Sequence, residues 1–268
     1  MMNFQKVIKY LAIAFACFLV VSIIGSVFSL FVYFVSMFDN QDDSPMKKYE
    51  INEVINDIEI DVSSTNLVIQ RGLLFSIETN NKYIKYKIDD RELNIEEKNH
   101  FINNTNSKLI VTIPYHLGGL SVDAGAGNVE IDKLEVNNLE LDLGAGKTDI
   151  SNVLVLNDCD IDGGAGEIII NESDITNMDL DMGVGKVELN SKLNGNSEIN
   201  AGVGEVNLEL VGGLDDYRFD VSKGIGSIVI DNHEISNDTV YGNGQNKVRI
   251  SGGVGEIEVK FRKIVEEF

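Results

Sequence analysis

The chain has no tryptophan, only two cysteines and three histidines, and few cations. Each scarcity removes a class of function. Cys17 sits in an apolar run near the N-terminus and Cys159 in a far segment that reads as a core position, so no disulfide frame holds the fold and Cys159 reads as a small core residue. His100, His116 and His233 are scattered, none at a metal-ligand spacing, and each reads as a surface or loop residue. The Gly-x-Ser-x-Gly nucleophile elbow is absent. Only 11 Phe and Tyr lie beyond Phe38, which argues against a sugar site built on stacked aromatics. Only two of the 22 basic residues, and none of the 43 acidic ones, precede residue 39, so the remainder carries 20 against 43, a net charge of −23. Such a surface repels nucleic acid.

Against these scarcities stands one long apolar run. From Tyr10 to Phe38 there are 29 residues without a charge, more than the roughly 20 needed to cross a bilayer core. A cleaved secretory signal has a much shorter apolar stretch and a small-residue cleavage site. The lipoprotein reading of Ala16-Cys17 fails because apolar residues continue after it. An uncleaved single-span anchor is expected, with Lys6 and Lys9 before it favouring a cytoplasmic N-terminus and an extracytoplasmic C-terminal domain.

Gly146-Lys147-Thr148 invites a nucleotide reading, since Gly-Lys-Thr closes the phosphate loop. That loop needs another glycine five positions before Gly146, where Leu141 stands, and must open a helix, whereas TDISNVLVL has a strand pattern. No nucleotide or other cofactor is expected.

The glycines belong instead to an internal repeat. Gly-x-Gly recurs at Gly125 and Gly127, Gly144 and Gly146, Gly164 and Gly166, Gly183 and Gly185, Gly202 and Gly204, Gly224 and Gly226, and Gly253 and Gly255. Successive copies are 19, 20, 19, 19, 22 and 29 residues apart. Three positions before each first glycine stand Val122, Leu141, Ile161, Leu180, Ile199, Val221 and Ile250, and five before it mostly apolar residues from Leu120 to Phe219. Four before it stand Ser121, Glu140, Asp160, Asp179, Glu198, Asp220 and Arg249. Two before it stand Asp123, Asp142, Asp162, Asp181, Asn200, Ser222 and Ser251. After each pair, alternation resumes with columns from Val129 and Ile131 to Ile257 and Val259. Period-two alternation on both sides of a fixed glycine corner predicts a coil of strand, corner, strand and return. Glycine suits the corner because it tolerates positive φ and lets backbones approach, and the small residue between the pair is expected to plug the corner from inside.

The expected fold is therefore all-β: a single-stranded right-handed β-solenoid of about 19–20-residue coils, roughly 30 Å long over seven rungs, behind one N-terminal transmembrane helix. The division is 1–9 cytoplasmic tail, 10–38 span, 39–49 linker, 50–118 N-terminal coils and cap, and 119–268 glycine-corner solenoid. IEIDV, NLVIQ, LFSIET, YIKYKI and ELNIEE read as cap strands, and KFRKIVEEF is expected to cover the far end.

Stacking puts outward carboxylates about 4.8 Å apart, close enough to repel by roughly 1–3 kcal/mol at surface dielectric constants. Three reliefs are open: capping of corner amides by Asp123, Asp142, Asp162 and Asp181, neutralisation by lysines such as Lys147 and Lys186, or bound calcium. The calcium nonapeptide does not fit, because GGAGEI has Ile168 in place of its Asp. No metal site is assigned.

KLIVTIP, followed by LGGLSVDAGAGNVEI and LELDLGAGKTDI, resembles the DUF4097 family of bacterial adhesin-type repeat domains over roughly residues 50–260. The resemblance implies a β-solenoid, often displayed outside the cell, with no agreed biochemical activity. The first expectation is thus a membrane-anchored, extracytoplasmic, non-enzymatic interaction module in envelope maintenance or stress signalling. An adhesin for glycans or wall polymer comes second, and a polysaccharide-active enzyme third. The partner is an unidentified envelope protein or wall polymer, met as a basic segment or through divalent cations at Glu140, Asp160, Asp179, Glu198 and Asp220.

Overall fold

The structure is a computed structural model that describes residues 45–98, 107–237 and 239–263. The expected span at 10–38 lies outside the described residues, and no helix among them is long and apolar enough to cross a membrane. The described chain is all-β, seventeen strands joined into one open, solenoid-like sheet.

Long strands bend through the glycine corners and stack in parallel and in register. Glu135–Ser151 pairs with Leu154–Thr176, that strand with Met178–Asn194, and that in turn with Asn196–Val211. The register follows the sequence columns: Leu141 opposes Ile161, which opposes Leu180, which opposes Ile199. All four are buried. Alternation continues through Ile150, Ile170, Leu189 and Leu208 after the corner, and the return side adds Val136, Val155, Ile175 and Leu193, so three sides enclose one continuous apolar core. The expected cap strands all form. Ser76–Thr79 and Ile84–Asp89 run antiparallel on the outer N-terminal coil, where in-register parallel pairing stops.

Each glycine corner is tight because rung stacks on rung at backbone contact. Gly185 has φ +149°, and a Cβ built on it would lie 1.9 Å from the Gly166 carbonyl oxygen. Its partner Gly183 has an ordinary φ, yet a Cβ there would meet the Gly164 oxygen at 2.6 Å. The first glycine of a pair is thus required by close approach, the second by approach and conformation together. The plug is not where the sequence pattern suggested. The residue between the glycines is only half-buried in most rungs, and Val254 and Ile225 are 38% and 57% exposed. The position just before the pair fills the corner instead, through buried Ala124 and Met182 and the partly buried Leu143.

In the Gly-x-Gly stack, the N-terminal neighbour of the first glycine corner has no glycine. Ser63-Ser64-Thr65 lies beside Gly125-Ala126-Gly127 in the stack, and Ala126 donates to the Ser63 carbonyl at 2.7 Å. Here the buried carboxylate of Glu97 accepts the Ser63 and Ser64 N–H groups at 2.8 and 3.2 Å and the Asn81 amide at 2.8 Å. Glu97 thereby satisfies backbone donors that would otherwise be buried without partners.

Sequence order and spatial order part company at both ends. Asp57–Val62 and Asn66–Arg71 are sandwiched between the glycine rung at 117–132 and the later strands Glu92–Glu97 and Lys108–Ile113. At the other end the last strand, Asn246–Arg262, inserts between Asn196–Val211 and Tyr217–Ile230. The described part of the expected end-cover KFRKIVEEF lies inside the stack, where Lys260, Phe261 and Arg262 pair with Glu209, Leu210 and Val211; its last five residues lie outside the described residues. The outer edge is covered in part by His233–Glu234 and Thr239–Gly242, both antiparallel to Tyr217–Ile230.

Replacing Gly185 by Val should cost about 2–4 kcal/mol, since it adds a backbone clash to an unfavourable φ. Urea denaturation of the variant would show a clearly lower midpoint. An unchanged midpoint would mean that the corner relaxes and that stacking at backbone contact is not required.

Candidate functional site

The two outer faces of the stack carry charge differently. On the face after the corners, Lys147 opposes Glu167, which opposes Lys186, which opposes Glu205. Lys147 lies 3.3 Å from Asp149 and 3.9 Å from Glu167, and Lys186 pairs with Glu188. Over these four rungs like charges are separated by opposite ones, at the modest strength of exposed pairs, whereas Glu205 meets Glu256 in the next rung and Asp149 meets Glu130.

The face before the corners is arranged otherwise. Its central column runs Glu59, Ser121, Glu140, Asp160, Asp179 and Glu198, and the column beside it Asp61, Asp123, Asp142, Asp162 and Asp181. A cation relieves this repulsion at one end only, where Arg249 meets Glu198. Asp123, Asp142, Asp162 and Asp181 accept no hydrogen bond and form no ion pair among the described residues, so they do not cap the corner amides. Lys147 and Lys186 are engaged on the opposite face. No group of three or more His, Cys, Asp or Glu among the described residues is placed to hold a metal ion. Glu140, Asp160 and Asp179 form no side-chain hydrogen bond or ion pair among the described residues, and the crowding is visible at Asp179. Partial burial, then Asp181, Asp160, Glu198 and Asp162, push that carboxyl above the ordinary carboxylate range.

Of the predicted contact residues, Glu140, Asp160, Asp179 and Glu198 lie in consecutive rungs, but Asp220 does not follow Glu198. The inserted last strand places Arg249 between them, opposite Glu198 on one side and Asp220 on the other. Arg249 Nη1 reaches Glu198 Oε2 at 3.1 Å. The same register sets Lys247 beside Arg218. A groove of about 670 Å³ runs over this junction, with Asp158, Asp160 and Asp179 toward one end and Arg218, Lys247 and Arg249 toward the other, where Glu198 and Asp220 flank Arg249. Sequence reasoning missed this cationic end. Arg249 in a column of acids and the long 29-residue interval before the last corner were the available signals.

The remaining candidates carry no chemistry. Cys159 is buried beneath the groove, and burial, then Asp160, push its thiol up to about 12, which keeps it protonated and unreactive. His233 is exposed and lies 2.7 Å from the Asp231 carbonyl. His116 lies 3.5 Å from Glu135. Gly144, Ala145, Gly146 and Thr148 line a corner void of about 20 Å³, too small for a nucleotide.

A family model described as Toastrack DUF4097 matches residues 55–192, just over half of the chain. The chain belongs to the DUF4097 family. Among solved structures, a candidate adhesin from Bacteroides fragilis aligns with a TM-score of 0.54 at 16% identity, over 80% of this DUF4097 chain and 96% of its own. A candidate cell adhesion protein from Clostridium sporogenes aligns at 14% identity and a TM-score of 0.39, over 81% and 99% of the two chains. A candidate lipid-binding protein from Parabacteroides distasonis aligns at 15% and 0.40, over 82% and 98%. At such identities the likeness is one of fold. No curated protein matches the DUF4097 chain.

The Asp179 shift fixes a sign. A carboxyl raised above its unfolded value binds more protons folded than unfolded, so its charged form opposes folding and stability falls as pH rises through the raised value. Asp179→Asn should therefore raise the melting temperature at pH 7, and the gain should fade as pH drops below the ordinary carboxylate range. A variant that melts lower than the parent at pH 7 would show that Asp179 is favourably engaged.

Proposed function

We propose that this chain is a membrane-anchored interaction module that presents its acidic face outside the cytoplasm and binds a basic macromolecular segment without catalysis. One observation carries the reading: carboxylates stack in register at Glu140, Asp160, Asp179 and Glu198, and only the last of them meets a cation, Arg249, while the face after the corners runs Lys147, Glu167, Lys186 and Glu205. Aligned like charges cost stability, and a partner that supplies cations recovers that cost on binding. Solenoid-like stacks suit extended partners because each rung offers the same side chain at fixed spacing. The coils wind right-handedly by the general rule for parallel crossovers.

The anchor is residues 10–38, whose apolar length and basic N-terminal flank favour an extracytoplasmic domain. Envelope maintenance or stress signalling is the setting we infer. Adhesion to glycans or wall polymer is the second reading, prompted by the adhesin descriptions of its structural relatives. An acidic face meets an anionic polymer only through divalent cations.

Two measurements test this. Protease added to intact, wall-stripped cells should digest the domain, and digestion only after lysis would reverse the orientation. Full-length protein in mild detergent should bind hexalysine, more weakly as salt rises toward physiological strength. Changing Asp160 and Asp179 to Asn and Glu198 to Gln should reduce that binding by about tenfold or more while the fold survives. Undiminished binding would rule out the acidic face.

A further inference from the structure

The junction between acids and cations on this face gives the partner a direction. Along the outermost column of the groove, successive rungs present Asp158, Asn177, Asn196, Lys247 and Arg218. Asn196 faces Lys247 directly in the register, and Asn177 holds its backbone, accepting from the Asn196 N–H at 3.1 Å. Arg218 and Lys247 are both exposed, and neither side chain has an ion pair or hydrogen bond among the described residues. Two adjacent unpaired cations are as unfavourable as the stacked acids, with the opposite sign. Arg249 does not neutralise them, being a third cation already held by Glu198.

We propose that the groove binds the C-terminal end of a basic peptide chain, its free carboxylate on Arg218 and Lys247 and its preceding cationic side chains over Asp160 and Asp179. This rests on the acidic-face reading and adds a polarity and an end to it. Rungs about 4.8 Å apart put Asp179 and Asp160 roughly 10 and 14 Å from Lys247 along the stack. An extended peptide advances about 3.4 Å per residue, so a cation three or four residues before the terminal carboxylate spans that distance. Arginine offers the carboxylate a bidentate fork, and the neighbouring lysine adds a point charge. The charges of a zwitterionic lipid headgroup lie far closer together and cannot reach both clusters.

The test compares two peptides, Lys-Lys-Gly-Gly with a free C-terminal carboxylate and the same peptide as its amide, titrated calorimetrically into the full-length protein in detergent. A merely anionic surface prefers the amide, which carries one more net positive charge. The site proposed here reverses that order, and the free acid should bind about tenfold more tightly. In the Arg218→Gln, Lys247→Gln double variant the amide should become the tighter ligand, while Asp160→Asn with Asp179→Asn should weaken both peptides. If the parent protein binds the amide as well as or better than the acid, and the Asp variant weakens both, the carboxylate site is overturned and the acidic-face function stands. If neither peptide nor hexalysine binds, both fail. Displacement of the bound acid peptide by phosphatidylethanolamine vesicles, but not by phosphatidylglycerol vesicles, would overturn the peptide assignment in favour of a headgroup.

Discussion

Parallel strands in register at backbone contact impose a condition at each Gly-x-Gly corner: no side chain fits at the glycines where one such corner lies on the next. The built Cβ atoms of Gly146, Gly166, Gly185 and Gly204 come within 2.0 Å of the carbonyl oxygen one rung away. Everything else follows from keeping that contact. Equal coil lengths keep the corners aligned, aligned corners keep the apolar columns aligned, and aligned columns make one core from rungs that could not bury their apolar residues alone. Where the corner lacks glycine, at Ser63-Ser64-Thr65, a buried Glu97 has to satisfy the turn's amides.

The same register that aligns apolar residues aligns charges, and the two faces answer this differently. Alternating Lys147, Glu167, Lys186 and Glu205 makes the stacking neutral to mildly favourable over four rungs of one face. On the other, Asp160, Asp179 and Glu198 keep like charges in register, and the Asp179 carboxyl is raised first by partial burial and then by the acids around it. A fold free to place either sign at an outward position, and seen to alternate signs a few ångströms away, gains nothing in stability from this column. That contrast is the physical ground for reading the acidic face as a surface kept for binding.

Much of this architecture was legible in the sequence because a repeat at backbone contact forces its own period. The glycine pairs, the inward columns through Leu141, Ile161, Leu180 and Ile199, and the cap strands from IEIDV to ELNIEE stand where pattern alone put them. The misreadings share a cause. Alternation says which residues face inward along a strand but not at the corner, where the positive φ of the second glycine breaks the parity, so the plug was assigned to Ala145 and Val184 rather than to Leu143 and Met182. Period also says nothing about which rung lies beside which. Read along the chain, the residues between the glycines end Val203, Ile225, Val254; in space Val254 comes before Ile225, and the column Ala126, Ala145, Ala165, Val184, Val203, Val254, Ile225 never decreases in size toward the open end.

The inserted last strand also joins folding to function. Tyr217–Ile230 makes no rung-to-rung pairing with Asn196–Val211; each meets Asn246–Arg262 instead. That strand must therefore fill a slot between two partners, one 29 residues earlier in the register and one some fifty residues earlier, a non-local closure of the kind that folds slowly. The cationic end of the groove exists only after this step. Arg218 stands beside Lys247, and Arg249 between Glu198 and Asp220, because the final strand enters there rather than adding to the outside. Had the chain stacked in sequence order, Asp220 would have followed Glu198 and the acidic column would have run on unbroken, with Arg249 at its outer end. The insertion interrupts the column of acids between Glu198 and Asp220 and sets cations beside it, so the charge polarity of this face is a property of topology that the composition of its residues alone does not contain.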